Sequence, residues 1–376
     1  MLTKQKNGYN INIVVSTRKV RVLISKKVVE RMLGERQASI LSLIIESYIK
    51  TGEPMGSKTL AGLLPYKISS ATIRNEMAYL SELGFLEQPH TSSGRVPTKS
   101  AYRYYVDYLM ASNPPSEFEA ERYSEILSVN ASDPERLLRD CAVLLAEETH
   151  CAAFYGTVKD DLDCIQGVEI IPAGNGKAMI VMLSVGGKIR SSVCRLNCPV
   201  DSEFKTLFYR VTGEFFIGTP LSEVSLALLQ KTAPLLSGRL FDMLPALTTL
   251  CSISAEAANS SLVFEGETNL LSHEELGNDV YKLLSFTASK EQFGAMLDNY
   301  AKNAAGTRLF IGNENFHPMM KNTATVLSRV VYNNSQTAVT GIIGSTRIDY
   351  SSVLPRVQYI MNTTNNFLQK GGVTFE

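Results

Sequence analysis

Within residues 34–98 the helix and turn signals follow one another so closely that they dictate a small helical unit on their own. Ile40, Leu41, Ile44, Ile45 and Tyr48 fall on one helical stripe, which ends at Lys50-Thr51-Gly52, a basic last turn followed by a glycine stop. Pro54 comes next, and Ser57 is a good N-cap for a short helix Lys58–Leu64 that Pro65 terminates. Ser69-Ser70 caps a third helix, which runs to Leu83 and stops at Gly84. Three short helices with tight turns in about fifty residues predict a helix-turn-helix. Beyond Gly84, Phe85-Leu86-Glu87-Gln88 reads as a strand, Pro89-His90-Thr91-Ser92-Ser93-Gly94 as a polar loop and Arg95-Val96-Pro97 as the return, which is the hairpin of a winged helix-turn-helix. The tyrosine-rich segment Thr98–Leu109 is then a helix leading away.

Charge decides whether such a unit can face a polyanion. The whole chain has 376 residues with 37 Lys+Arg against 37 Asp+Glu, and with 44% hydrophobic residues it has the composition of a globular protein of two or three domains. That excludes collagen-like, disulfide-scaffold and wholly disordered chains. The neutral sum hides an asymmetry: residues 1–110 hold 16 basic and 8 acidic residues, or +8, and residues 111–376 hold 21 and 29, or −8. A basic first third joined to an acidic body predicts a nucleic-acid-facing segment with a partner of different task. Residues 1–33 supply 8 basic and one acidic residue of that excess, so residues 34–110 carry only +1. Placement of Lys58, Arg74 and Arg95, rather than bulk charge, must therefore carry binding by the winged unit.

Six cysteines (Cys141, Cys151, Cys164, Cys194, Cys198, Cys251) are scattered without a zinc knuckle, so neither a metal nor another cofactor is expected. An enzyme using Cys194 or Cys198 as nucleophile is the weakest alternative. No histidine neighbours them, and the chain has no Gly-x-Ser-x-Gly elbow and no Walker loop. No apolar run approaches the ~18 residues of a membrane span, and Tyr9 to Leu23 is broken by Asn10, Asn12, Arg18, Lys19 and Arg21. The expected setting is the cytoplasm, with no membrane partner.

Beyond a basic N-terminal arm (1–33), the clearest boundary is Asn113-Pro114-Pro115-Ser116, where two prolines block helix continuation. A helix from Ser132-Asp133-Pro134 to about Glu148 follows, then strands Val168–Ile171, Ala178–Ser184 and Ile189–Arg195 joined by the hairpin signals Asn175-Gly176 and Gly186-Gly187. A helix Asp201–Phe216 comes next. Residues 218–305 read as mostly helical, with capping boxes at Ser272-x-x-Glu275 and Ser289-x-x-Gln292. Strands return at Thr307–Ile311, Thr325–Tyr332 and Thr337–Ser345, and Ser352 caps a last helix to about Leu368. The expected fold is multidomain α+β: a winged unit (34–112), an α+β domain (117–217 and 306–376) and a mostly helical insert (218–305).

On the third helix Ile73, Met77 and Leu80 form the packing stripe. Asn75 lies away from it and Arg74 beside it, near the N-terminal end that in a recognition helix reaches base edges in the major groove. Asn pairs bidentately with adenine and Arg with guanine. Ser69, Ser70 and Thr72 offer hydroxyls and free backbone N–H groups to phosphate, as does Ser57 at the start of the second helix, and Lys58 clamps the flanking backbone. The loop adds His90, Ser92, Ser93 and Arg95. Arg74 as a member of an intrahelical ion pair is the plainer alternative, but Met77 and Ala78, one turn along, carry no charge.

Longer stretches carry a resemblance. Gly34-Glu35-Arg36-Gln37, Tyr48 to Leu60, Ser69 to Met77, Leu80 to Pro97 and Tyr102 to Asp107 are similar to the heat-inducible transcription repressor family HrcA, with weaker likeness at 264–271, 310–315 and 341–347. It covers about residue 34 to the end. Residues 1–33 have no counterpart in it, and Met32 is an alternative start. The resemblance implies a bacterial repressor with a winged helix-turn-helix domain and a GAF-like α+β domain interrupted by the insert at 218–305, which dimerises. It further implies a homodimer that binds double-stranded DNA at the CIRCE inverted repeat upstream of groE- and dnaK-type operons, kept active by the GroEL chaperonin and released on heat shock. An alternative is a winged-helix repressor whose GAF-like domain senses a metabolite.

Overall fold

The apolar stripe of the first helix produces α1 (Glu35–Thr51), which buries Ile40, Leu41, Ile44 and Ile45. It stops at Gly52, whose left-handed φ of 73° lets its N–H return to Tyr48 O at 2.9 Å. Helix α2 (Ser57–Leu63) buries Leu60 beneath α3 (Ser70–Glu82), whose buried stripe includes Ile73, Met77 and Leu80. Ser57 is not the cap expected of it: Gly56 occupies the N-cap in extended conformation and Ser57 is the first helical residue. The wing pairs β1 (Leu86–Glu87) with β2 (Val96–Pro97), Leu86 opposite Pro97. The computed structural model describes residues 33–90, 94–158, 160, 162–259, 261–303, 306–332 and 336–370. The basic arm, apart from Leu33, and Thr91, Ser92 and Ser93 of the loop lie outside the described residues.

After Thr98, whose hydroxyl caps α4 (Lys99–Tyr104), a π-helical turn continues from Tyr105 to Leu109. Helices α5 (Glu117–Ser128) and α6 (Pro134–Thr149) come next, capped by Ser116 and Asp133. With α12 (Tyr350–Lys370) they cover one face of an antiparallel five-stranded sheet of order β7-β3-β10-β9-β8. Its strands are β3 (Ala152–Thr157), β7 (Leu262–Glu265), β8 (Thr307–Ile311), β9 (Thr323–Tyr332) and β10 (Gln336–Ser345). The last helix starts earlier than expected: Asp349 accepts from the Ser351 N–H at 3.1 Å, and Ser352 lies inside the helix. Helices α10 (Asp279–Ala288) and α11 (Lys290–Asn303) cover the opposite face through Phe286, Phe293 and Leu297.

Residues 165–258 form a second sheet with a core of its own. Strands β4 (Ile165–Gly174), β5 (Lys177–Ser184) and β6 (Ile189–Arg195) make an antiparallel β4-β5-β6 sheet. One face buries Ile170, Ile180, Met182 and Cys194 against α7 (Ser202–Phe215), α8 (Leu226–Leu236) and α9 (Leu240–Ala258). The sheets therefore divide the chain differently from the expected insert at 218–305. Strands β4–β6 leave the sheet of β3, and β7, inside the expected helical segment, joins it by pairing Phe264 with Phe154. Alternation tells which way a strand's side chains point, not which sheet it enters. Ser272-x-x-Glu275 is not a capping box either, since the Ser272 hydroxyl donates to Asn269 O in a run of 3-10 turns.

Candidate DNA-binding surface

Helix α3 is held by its buried side and offers the other. Ser69 caps it, accepting the Thr72 N–H at 3.1 Å while sharing a hydrogen bond with the Thr72 hydroxyl at 2.9 Å, so both hydroxyls are engaged in the helix start. Arg74 and Asn75 are exposed, and neither has an ion-pair or hydrogen-bond partner among the described residues. Lys58 is exposed on α2, with Ser57 half-buried beside it, and Ser70 and Thr72 are half-buried at the start of α3. His90 is exposed at the wing. The expected surface residues thus gather on the α2–α3 turn, the outer face of α3 and the wing, except Ser92 and Ser93, which lie outside the described residues.

Arg95 has two roles. Its backbone forms a bridge with Met55, N–H to carbonyl in both directions at 3.0 and 2.9 Å, which stitches the wing to the segment between α1 and α2. Its side chain is half-buried, with Nε enclosed and unpartnered among the described residues. Gly94 makes the bridge possible: a Cβ there would collide with the Met55 backbone.

The residues missed in the sequence are those that brace α3. Glu76 is buried on the inner side of α3, where it accepts from Gln37 Nε2 at 3.0 Å and pairs with Arg36, both on α1. The signal is present in the sequence, because Glu76 falls three residues after Ile73 and four before Leu80, on the packing stripe. A carboxylate at such a position demands partners. In the three-stranded sheet, burial pushes the Cys194 thiol up, and its Sγ lies 3.5 Å from Ala178 O. That is the environment of an inert packing cysteine. No group of histidine, cysteine and acidic residues able to hold a metal occurs among the described residues, and none of their helices is long and apolar enough to cross a membrane.

Comparison with known proteins assigns this arrangement to a family. Residues 32–107 match the family described as "Winged helix-turn-helix transcription repressor, HrcA DNA-binding", and residues 135–354 match "HrcA protein C terminal domain". The Heat-inducible transcription repressor HrcA of Clostridium botulinum strain Eklund 17B is 31% identical over 345 residues, covering 89% of this chain and 98% of that one. The protein of the same name from Ruminiclostridium cellulolyticum is 29% identical over 342 residues, covering 90% and 98%. A crystal structure of a hypothetical protein has the same fold, with a TM-score of 0.65 at 22% identity, covering 90% of this chain and 100% of that one. The winged-helix family and the named relatives are transcription repressors and not enzymes. The chain belongs to the HrcA family of winged helix-turn-helix transcription repressors.

Proposed function

We propose that this protein is a heat-inducible repressor of groE- and dnaK-type chaperone operons, acting in the cytoplasm as a homodimer on the CIRCE inverted repeat. The observation that carries the reading is the outer face of α3, where Arg74 and Asn75 stand exposed on a helix braced from behind by Glu76. A braced helix with one Arg and one Asn free at its N-terminal half is equipped to read guanine and adenine edges in the major groove. Lys58, Ser57, Ser70 and the wing residues His90, Ser92, Ser93 and Arg95 then hold the flanking phosphates.

An inverted repeat requires two-fold protein symmetry, and the outer face of the β4-β5-β6 sheet is the surface that best fits a second copy. Ile171 stands opposite Met179 and Met179 opposite Val193, while Leu183 faces Ile189. Ile171, Leu183, Ile189 and Val193 are all exposed. Val181, between Glu169 and Ser191, joins these two apolar rows along β5, and an exposed apolar sheet face of this kind is a typical self-association surface. On this reading the dimer contact falls on the strands at 165–195 rather than on the helices at 218–305, of which α8 and α9 pack on the inner face of the same sheet and α10 and α11 on the five-stranded sheet. GroEL modulation, in which unfolded protein occupying the chaperonin withdraws its support, rests on the family resemblance alone.

The test is a mobility-shift titration of the purified protein on DNA carrying the repeat, at two salt concentrations, with and without GroEL. Binding that weakens steeply with salt and strengthens with GroEL is expected. Equal affinity for the repeat and for scrambled DNA would remove the operator assignment, and a response to a small metabolite in place of GroEL would remove the chaperonin.

A further inference from the structure

Among the described residues, side chains clamp the winged unit onto the C-terminal body at three polar places. Two lie along α4: Lys99 Nζ donates to Asn322 Oδ1 at 2.9 Å, and Arg103 pairs with Glu314 at 2.5 Å while donating to Leu309 O at 2.9 Å. Tyr102 rests against Tyr350 between them, with ring centroids 5.7 Å apart. Polar points strung along one short helix define an axis but do not by themselves set the rotation about it. The third clamp is off that axis. Arg347, just beyond β10, donates from Nη2 to Glu275 Oε2 at 3.1 Å and from Nη1 to Tyr48 O at 3.4 Å, with its guanidinium 5.9 Å from the Tyr48 ring centroid.

The Tyr48 carbonyl, which also accepts the Gly52 N–H at 2.9 Å, belongs to the last turn of α1, where the helix dipole favours a cation. Gly52 is open to the same guanidinium: a Cβ there would stand 2.7 Å from Arg347 Nη1. Ser345 presents its hydroxyl to Glu275 and accepts the Arg347 N–H at 3.0 Å, so the arginine is held from its backbone as well. Helix α1 is 17 residues long, about 25 Å from end to end. Its far end carries Arg36 and Gln37, which grip Glu76 of the recognition helix. An unbroken rod thus runs from Glu275 through Arg347 and α1 to α3.

Resting on the operator reading above, we infer that Arg347 is a positioning residue that fixes the angle of the winged unit on the body and thereby the half-site separation the dimer accepts. In a dimer whose bodies are joined, the angle of each reading head sets the distance between the two recognition helices. Half-sites must then lie at one spacing and one helical phase. Loss of Arg347 leaves the α4 axis in place and frees rotation about it, so the protein still folds and still reads a half-site but tolerates altered spacing.

The test uses the full-length protein and DNA carrying the inverted repeat with its natural spacer, or with the spacer changed by about two base pairs in either direction. The wild type is expected to prefer natural spacing strongly. Arg347→Ala is expected to lower that preference by roughly tenfold, with Arg347→Lys recovering only part because one ammonium does not span both acceptors. Unchanged preference in Arg347→Ala overturns the inference, since a merely structural role would weaken all spacings alike. If Arg347→Ala fails to fold, Glu275→Gln carries the same comparison with the arginine retained. A DNA-free readout separates this inference from the operator reading: the distance between spin labels at Glu82 on α3 and Lys302 on the body, attached by non-cysteine chemistry. A distribution that broadens in the variants supports the rod and clamp even if the repeat is not the target, and one that stays as narrow as in the wild type rejects them.

Discussion

Gln37 of α1 donates to Glu76 of α3 at 3.0 Å, and Arg36 takes the other carboxylate oxygen. One buried acid thus ties α3 to the helix that supports it. Arg36 is 54% exposed, which weakens its share of the tie, so the Gln37 bond and the removal of a buried carboxylate from its partners set the scale. Glu76→Ala is expected to cost about 1–2 kcal/mol in chemical denaturation. Glu76→Gln keeps one partner and should cost less. Operator affinity should fall with stability, since a loosened α3 presents Arg74 and Asn75 less consistently.

The exposed residues behave in the opposite way. Arg74→Ala and Asn75→Ala should each weaken operator binding by about 1–3 kcal/mol and relax preference at one base position. The melting temperature should hardly move, because neither side chain has a partner among the described residues. Lys58→Ala should instead weaken all DNA sequences evenly and reduce the slope of log affinity against log salt by about one. Shift titrations on the repeat and on single-base variants, at several salt concentrations, distinguish these patterns.

Gly94 is where the wing meets Met55, and its lack of a Cβ is what allows their backbones to pair. Gly94→Ala is expected to destabilise the winged unit by about 1–3 kcal/mol, and the double exchange with the Met55 backbone should open first. Hydrogen exchange at the Met55 and Arg95 amides reads this directly. Amides that remain as protected as in the wild type would place the strain elsewhere.

The winged unit is legible in the sequence because its signals are local: Gly52, Pro65, Ser69 and Gly84 each mark a boundary that the structure keeps within a residue or two. Sheet membership is not local. β3 is buried at all six positions and shows no alternation, so nothing in its own sequence marks it as the strand between β7 and β10. Its pairing sets Phe154 opposite Gly341, near the other end of the chain. Glu275 illustrates the same limit at the level of one side chain. Its spacing from Ser272 fits a capping box, but in the fold it is claimed by Ser345 and Arg347 from a distant strand end.

That placement gives Glu275 a pH signature. Burial alone raises its pKa, but hydrogen bonds from His273, Ser345 and Arg347 outweigh burial and hold the carboxyl well below its ordinary value of 4.5. A carboxylate depressed in the folded state contributes stability that is present above the ordinary value and lost as pH falls below it. Acid should therefore loosen the Arg347 clamp, and Glu275→Gln should flatten the acid side of the melting profile while lowering stability at neutral pH. Parallel wild-type and variant profiles below pH ~4.5 would mean that Glu275 does not carry the acid sensitivity.

The outer face of the three-stranded sheet supplies the remaining prediction. Ile189 is 63% and Val193 55% exposed, and both project from β6 beside Leu183 and Met179 of β5. If two copies meet there, Ile189→Asp with Val193→Asp places four carboxylates in the contact, and burying them without partners is far costlier than the apolar area lost. The fold itself should tolerate the change, because neither side chain contributes to the core on the inner face. Sedimentation should then find a monomer with a near-normal melting temperature. Affinity for the full repeat should drop by roughly a hundredfold toward that for a single half-site, since the second reading head is no longer tethered to the first. A double variant that remains a dimer with wild-type affinity would move the two-fold contact to another face of the molecule.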